Sequence, residues 1–202
     1  MKLLALDTAT PYVVVAAYDG SRGFEMSSES PMKHGEQTAP LIRAALADAG
    51  WSPSDLTGIV VGVGPGPFTG LRVGLATART MGFALDIPVQ GICTLDALAI
   101  DAEVEGPFTV VTDARRREVY LATYDGRRVT GPEVVRPMDA VTVGPVVGPG
   151  TELYPEIFGE VRGPMRPSAI TMALAMANGL VEPLPPDPLY LRRPDAVEVA
   201  KR

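Results

Sequence analysis

The chain has 202 residues, 46% hydrophobic, 21% charged and 6% aromatic, with a formal net charge of −6. This supplies an ordered core for one domain or two small lobes, and the acidic balance excludes broad electrostatic binding of nucleic acid, which needs clustered Lys and Arg. The single cysteine, Cys93, allows no internal disulfide, Leu3–Leu6 is too short for a signal peptide, and no segment reaches the ~20 apolar residues of a membrane span. A soluble cytoplasmic protein, not associated with membranes, is expected.

Leu3–Leu6 reads as a buried strand that runs into the polar turn Asp7-Thr8-Ala9-Thr10-Pro11. Tyr12–Tyr18 is β-branched and apolar and stops at Asp19-Gly20, a hairpin signal; Gly23–Glu29 is a candidate third strand. The chain thus opens with an antiparallel meander. Glu36–Ala49 is predicted helical, with Leu41, Ile42, Ala45, Leu46 and Ala49 on one stripe and Gly50 as its stop. After the turn Ser52-Pro53-Ser54-Asp55, Thr57–Val63 is a β-branched run typical of a strand buried on both faces. Gly64-Pro65-Gly66-Pro67 breaks it, and a helix is predicted from about Thr69 to Leu85. Ile87–Ile92 is a short strand, and Thr94 a candidate N-cap for a helix carrying Leu95, Leu98, Ala99 and Ala102.

Glu103-Val104-Glu105-Gly106-Pro107 is the expected lobe boundary, dividing residues 1–104 from residues 105–202. Beyond it, Phe108–Thr112 and Glu118–Tyr124 read as strands around the basic turn Arg115-Arg116-Arg117. Ala140–Val147 is a further strand candidate, ending at Gly148-Pro149-Gly150. Ser168–Leu180 is a helix with Ser168 as N-cap. Five prolines from Pro183 to Pro194 make the tail extended.

The helix over 69–85 carries the most information. Between Leu71 and Leu85 only Arg72 and Arg79 are charged. Seven residues apart, they project within about 20° of each other. A helix apolar around nearly all its remaining circumference must be covered on more than one side. Gly74, Ala76, Ala78 and Gly82 are small enough for close helix approach. In a chain of this size, either its own core or a second chain can supply the cover. With Glu36–Ala49 it forms a two-helix face able to build a four-helix bundle with a like face.

Leu4-Ala5-Leu6-Asp7-Thr8-Ala9-Thr10, His34-Gly35-Glu36 and Val61–Gly74, with its Gly64-Pro65-Gly66-Pro67-Phe68-Thr69-Gly70-Leu71-Arg72 core, resemble the TsaB (YeaZ) family. Thr112–Tyr120 and Pro188-Leu189-Tyr190-Leu191-Arg192 are also similar to it, while the C-terminal third matches more loosely. The resemblance implies an α/β fold of the actin/Hsp70/sugar-kinase (ASKHA) kind, in two lobes of mixed sheets flanked by helices, the second lobe reduced. It also implies a non-catalytic partner of TsaD, the transferase that puts threonylcarbamoyl on adenosine 37 of ANN-decoding tRNAs. Two N-terminal helices of the partner pack on their TsaD counterparts, the ATPase TsaE joins, and the same face permits a homodimer. Carried onto this sequence, the contact residues are Leu41, Ala45, Arg72, Leu75, Ala76, Arg79 and Phe83. No stable tRNA binding by the chain alone is expected.

Two other functions compete: an ATP-using enzyme of the same superfamily and a metallopeptidase. His34 is the sole histidine, and Thr38 stands four residues on, where the catalytic relatives have a second metal-binding histidine. Asp7, Thr8 and Thr10 are the candidate cofactor-binding residues, at the place of a phosphate-contacting hairpin. Ala9 stands there instead of the Gly that lets backbone amides approach phosphate, so a structural turn is the reading. No catalytic residue, metal or intrinsic cofactor is expected, with ATP or ADP admitted only at the junction with the partner. Gly62-x-Gly64-x-Gly66 lacks the Lys of a P-loop, and its prolines remove amides; it reads as a rigid turn that lets helix and sheet pack closely. Gly148-Pro149-Gly150-Thr151 is a candidate remnant of an adenosine-site loop. Cys93 reads as a small buried hydrophobe. Arg115–Arg117 reads as a solvated turn, with contact to RNA or an acidic partner as the alternative.

Overall fold

The computed structural model describes residues 1–28, 33–159 and 163–192. Strands β1 (Leu3–Asp7), β2 (Val14–Tyr18) and β3 (Gly23–Ser27) form the antiparallel meander expected from the sequence; Glu29, the expected end of the third strand, lies outside the described residues. β4 (Gly58–Gly64) pairs parallel with β1, and β5 (Val89–Cys93) parallel with β4, giving the order β3-β2-β1-β4-β5. Parallel neighbours need a crossover. Helix α1 (His34–Ala49) bridges β3 to β4, and α2 (Phe68–Leu85) bridges β4 to β5. Gly50, left-handed at φ 70°, ends α1 by donating to the carbonyl of Ala47, while Trp51 N–H donates to Leu46.

Because side chains alternate along a strand, the sheet has two apolar faces. Leu4, Leu6, Val13, Val15, Ile59, Val61 and Val63 face α1 and α2, meeting Ile42, Ala45, Leu46, Leu71, Leu75 and Ala78. Leu3, Ala5, Val14, Ala16, Val60 and Ile92 face the other way. That second face is covered by α6 (Ala169–Ala177) through Ala169, Met172 and Ala173, and by Ala97 of α3 (Thr94–Asp101). Ser168 caps α6 as expected, its side chain accepting from Thr171 N–H. Thr94 does not cap α3. It lies inside the helix, Cys93 holds the cap position, and the Thr94 hydroxyl is directed elsewhere.

The second sheet has the order β8-β7-β6-β9, from β6 (Phe108–Asp113), β7 (Val119–Asp125), β8 (Arg127–Val135) and β9 (Val146–Val147). Leu95 and Leu98 of α3 pack on one face against Phe108, Val110 and Ala122. Phe158, at the end of α5 (Pro155–Phe158), packs on the other with Val111 and Leu121; α4 (Gly150–Leu153) precedes it. Two expectations are corrected here. β8 has no counterpart in the sequence reading, and the strand expected over 140–147 shrinks to two residues, leaving Val141 and Val143 exposed. The division at 104/105 also fails for the chain's last third. α6 belongs to the first sheet, and Leu184 pairs with Gly91 by reciprocal backbone hydrogen bonds of 2.7 and 2.9 Å. The two-lobed α/β architecture with mixed strand directions is as expected. Pro194 lies outside the described residues.

Candidate functional site

α1 and α2 lie side by side on one face of the first sheet. Their outer surfaces are open: Ala39, Pro40, Arg43 and Ala47 on α1, and Arg72, Ala76, Arg79, Thr80, Phe83 and Ala84 on α2. Phe83 is 91% exposed. Residues 72, 76, 79, 80 and 83 follow the helical repeat, so they form one stripe. Of the contact residues expected from the sequence, Ala76, Phe83, Arg72 and Arg79 lie on this surface, and Leu41 is half-buried at its base. Ala45 and Leu75 do not. At 0% and 4% exposure they fill the chain's own core beneath the helices, where no partner reaches them. The two arginines engage their own tail: Arg79 pairs with Asp187 at 3.1 Å, and Arg72 Nε donates to the Tyr190 hydroxyl at 3.3 Å.

The small residues of α2 divide in the same way. A Cβ on Gly70 would lie 2.4 Å from the Thr8 carbonyl oxygen, and one on Gly82 2.2 Å from Val89. Thr8 Oγ1 donates to the Gly70 carbonyl at 2.7 Å and accepts from Gly74 N–H at 3.1 Å, so the β1–β2 turn is bolted into the helix. Gly70, Gly74 and Gly82 thus serve close packing on this chain's own sheet. The expectation that Gly74 and Gly82 admit a second helix is corrected. In the preceding glycine–proline block, Gly66 packs on Ala9 of the β1–β2 turn, with a Cβ placed 2.3 Å from its carbonyl oxygen, and a Cβ on Gly64 of β4 would lie 2.8 Å from Leu71 of α2, the close approach of helix and sheet expected from the sequence.

Asp7 is fully buried at the end of β1. Ala9 N–H donates to its Oδ1 at 2.7 Å and the Thr94 hydroxyl to its Oδ2 at 2.6 Å. Its carboxylate also covers Gly62, where a Cβ would fall 1.8 Å from Oδ2. Burial pushes the carboxyl above its usual range, opposed by the bonds from Thr94 and Ala9. Thr8 and Thr10 are buried as well, Thr10 Oγ1 donating to the Tyr12 carbonyl at 3.1 Å. Beside them opens a cleft of about 380 Å³ between the sheets, lined by Thr10, Thr94, Thr112, Arg115, Glu152 and Arg166. Pro11, Pro65, Pro67 and Pro149, which give no N–H, also border it. Asp7 is thus sealed beneath the cleft, Ala9 packs against Gly66, and four prolines stand at the rim. Thr112 Oγ1 is buried in the cleft wall without a hydrogen-bond partner.

His34 is buried at the start of α1, with Nε2 donating to the Thr10 carbonyl at 2.8 Å and thereby tying helix to hairpin. Cys93 is buried too, its thiol pushed up to about 12 by burial and then by the charge of Asp96, so it is an unreactive hydrophobe. Thr151 Oγ1 donates to the Gly148 carbonyl, making the Gly148–Gly150 loop the entry to α4. Sequence reasoning missed a cluster at the N-terminal end of α2. The Phe68 and Tyr190 rings stack at 5.2 Å, and the Arg72 guanidinium lies 3.7 Å from the Phe68 centroid. The only signal for it was an aromatic residue in a proline-rich tail.

A family model described as "TsaD: tRNA N6-adenosine threonylcarbamoyltransferase" matches residues 28–154, which include both open helices. The tRNA threonylcarbamoyladenosine biosynthesis protein TsaB of Escherichia coli is 29% identical over 87% of this chain and 83% of its own length. The structure of YeaZ from Pseudomonas aeruginosa superposes with a TM-score of 0.80, at 27% identity, over 94% of this chain and 99% of that one. The chain belongs to the TsaB (YeaZ) family. An uncharacterized protein of Mycobacterium tuberculosis is 46% identical over 98% of the chain and 95% of its own length. A Mycobacterium leprae relative, 43% identical, is longer, and the chain spans 55% of it. The YeaZ likeness spans 94% of the chain, in accord with the two-lobed fold that the resemblance in the sequence implied. No helix among the described residues is long and apolar enough to cross a membrane.

Proposed function

We propose that this chain acts in tRNA threonylcarbamoyladenosine synthesis as a non-catalytic subunit that binds and stabilises a TsaD-type transferase. The outer stripe of α1 and α2 is the contact, TsaE joins the pair, and the same stripe lets two copies of the chain associate when TsaD is absent. The reading is carried by Phe83, a large aromatic side chain 91% exposed on a helix whose neighbouring outward positions are Ala76, Arg79, Thr80 and Ala84. Such a surface of small residues with one protruding ring, flanked by an arginine, suits a helix pair of like shape. The name of the E. coli relative and the family model over both helices support it. The engagement of Asp7 by Ala9 and Thr94, and of His34 by Thr10, supports a role without chemistry of its own. Any nucleotide at the junction is then held mainly by the partner.

The test is reconstitution of threonylcarbamoyl transfer to an ANN-decoding tRNA from purified TsaD, TsaE and the enzyme supplying threonylcarbamoyl-adenylate, with and without this chain. Transfer should depend on the chain, and Ala76→Asp should abolish both that dependence and co-purification with TsaD. Undiminished co-purification of a folded Ala76→Asp chain would remove the proposed contact.

A further inference from the structure

Around the Phe68–Tyr190 stack lies a pocket of about 370 Å³ with a composition unlike the rest of this acidic chain. Arg115, Arg116 and Arg192 line it together with Phe68, Tyr120 and Tyr190, and Arg72 covers the outer ring of the stack. No Asp or Glu lines it among the described residues. At its margin Asp113 pairs with Arg115 and Glu118 with Arg192.

Two further observations mark the pocket. Arg115, Arg116 and Arg117 are consecutive at φ 62°, 56° and 61°, a left-handed conformation that side-chain-bearing residues rarely adopt singly. The turn therefore holds three arginines in a backbone shape unfavourable in itself, as happens where a binding surface demands it. Opposite, Phe68 and Tyr190 remain 44% and 41% exposed although large and apolar, and their rings are held parallel within 24°. Tyr190 is fixed from two sides: by the Arg72 bond to its hydroxyl and by Leu189, whose N–H donates to the Val63 carbonyl.

We infer that this pocket binds single-stranded RNA, one base extending the Phe68–Tyr190 stack and the flanking phosphates meeting Arg115, Arg116 and Arg192. A flat ring joined to an anion is the ligand chemistry that matches an aromatic platform beside an arginine cluster. An acidic peptide matches the charge alone. Contact is local and salt-sensitive, which accords with the overall negative charge. This inference rests on the role in tRNA modification proposed above and names the RNA contact made by this subunit.

The test uses the isolated full chain and a fluorescein-labelled oligoribonucleotide of about twelve mixed bases, followed by anisotropy at about 50 mM salt. Binding in the tens-of-micromolar range is expected, weakening steeply with salt. Tyr190→Ala should lower affinity about tenfold, while Tyr190→Phe, which keeps the ring, should retain it. Arg115→Glu combined with Arg116→Glu should lower it at least tenfold and flatten the salt dependence by about two charges. Arg22→Glu, on the distant β2–β3 turn, should leave it unchanged. The inference is overturned by absence of binding up to about 100 µM chain, by equal loss in Arg22→Glu, by a duplex bound as tightly as the single strand, or by equal displacement with poly-glutamate. Tyr190→Phe and Arg22→Glu control for folding. RNA binding is read without TsaD and co-purification without RNA, so this inference and the subunit reading can fail separately.

Discussion

The inner and outer faces of α2 carry similar small residues and meet different surroundings. Inside, Gly70, Gly74, Ala78 and Gly82 let the helix sink onto β1, β4 and the hairpin until Thr8 bonds directly to its backbone. Outside, Ala76, Thr80 and Ala84 leave an exposed strip of small residues interrupted by Arg79 and Phe83. Small size means contact already made on one side and contact available on the other. The contrast separates changes that harm the fold from changes that harm only assembly.

The sharpest way to break that contrast is on the inner face. Gly70→Ala puts a Cβ into the Thr8 carbonyl, a backbone atom that cannot turn aside, and should cost about 3 kcal/mol in urea unfolding. An unchanged midpoint would mean that the helix floats above the hairpin. On the outer face, Ala76→Asp should move the midpoint of the isolated chain by less than about 0.5 kcal/mol, yet weaken TsaD capture by about a hundredfold, since the partner would bury an unpaired charge. Phe83→Ala tests the same surface more gently: unaltered melting, with about tenfold weaker capture if the ring fills a pocket. A drop in melting temperature would instead assign Phe83 to this chain's own packing.

The smallest effect concerns Asp7. Its carboxyl is raised by burial, so the folded chain holds that proton more tightly than the unfolded one. The group therefore adds stability below the ordinary carboxylate range, and that contribution is lost as pH rises through the raised folded value. Asp96 and Asp101 are shifted the same way, also by burial. The difference between wild type and Asp7→Asn isolates one group: the variant should lose less stability as pH rises above the ordinary carboxylate range. Parallel curves would place Asp7 outside the linkage.

The strands and helices of the first sheet were legible because each declares itself locally, by β-branched runs, helical stripes and Gly50. β8 was not. Arg127–Val135 is a polar, largely exposed strand with Pro132 in it, tolerated only because it lies at the sheet edge. Val141 and Val143 misled in the opposite sense, as β-branched residues that remain on the surface. For the site, helical periodicity identified which residues of α2 share a face but not which face the sheet takes. Ala76 and Phe83 therefore lie on the open surface, and Leu75, expected beside them, lies in the core. The partners of Asp7 and Tyr190 lie 87 and 118 residues away and have no local signature.

The placement of α6 bears on the order of events during synthesis. The second face of the first sheet, with Ala5, Val14, Ala16, Val60 and Ile92, is closed by Met172 and Ala173. Those residues leave the ribosome about eighty positions after β5, the last strand of that sheet. Through most of translation the nascent chain therefore carries one finished apolar surface and one uncovered, so trigger factor or a similar holdase should engage it until α6 emerges. Ribosome-bound chains arrested before residue 168 should remain protease-sensitive in β1–β5, and full-length chains released from the ribosome should resist.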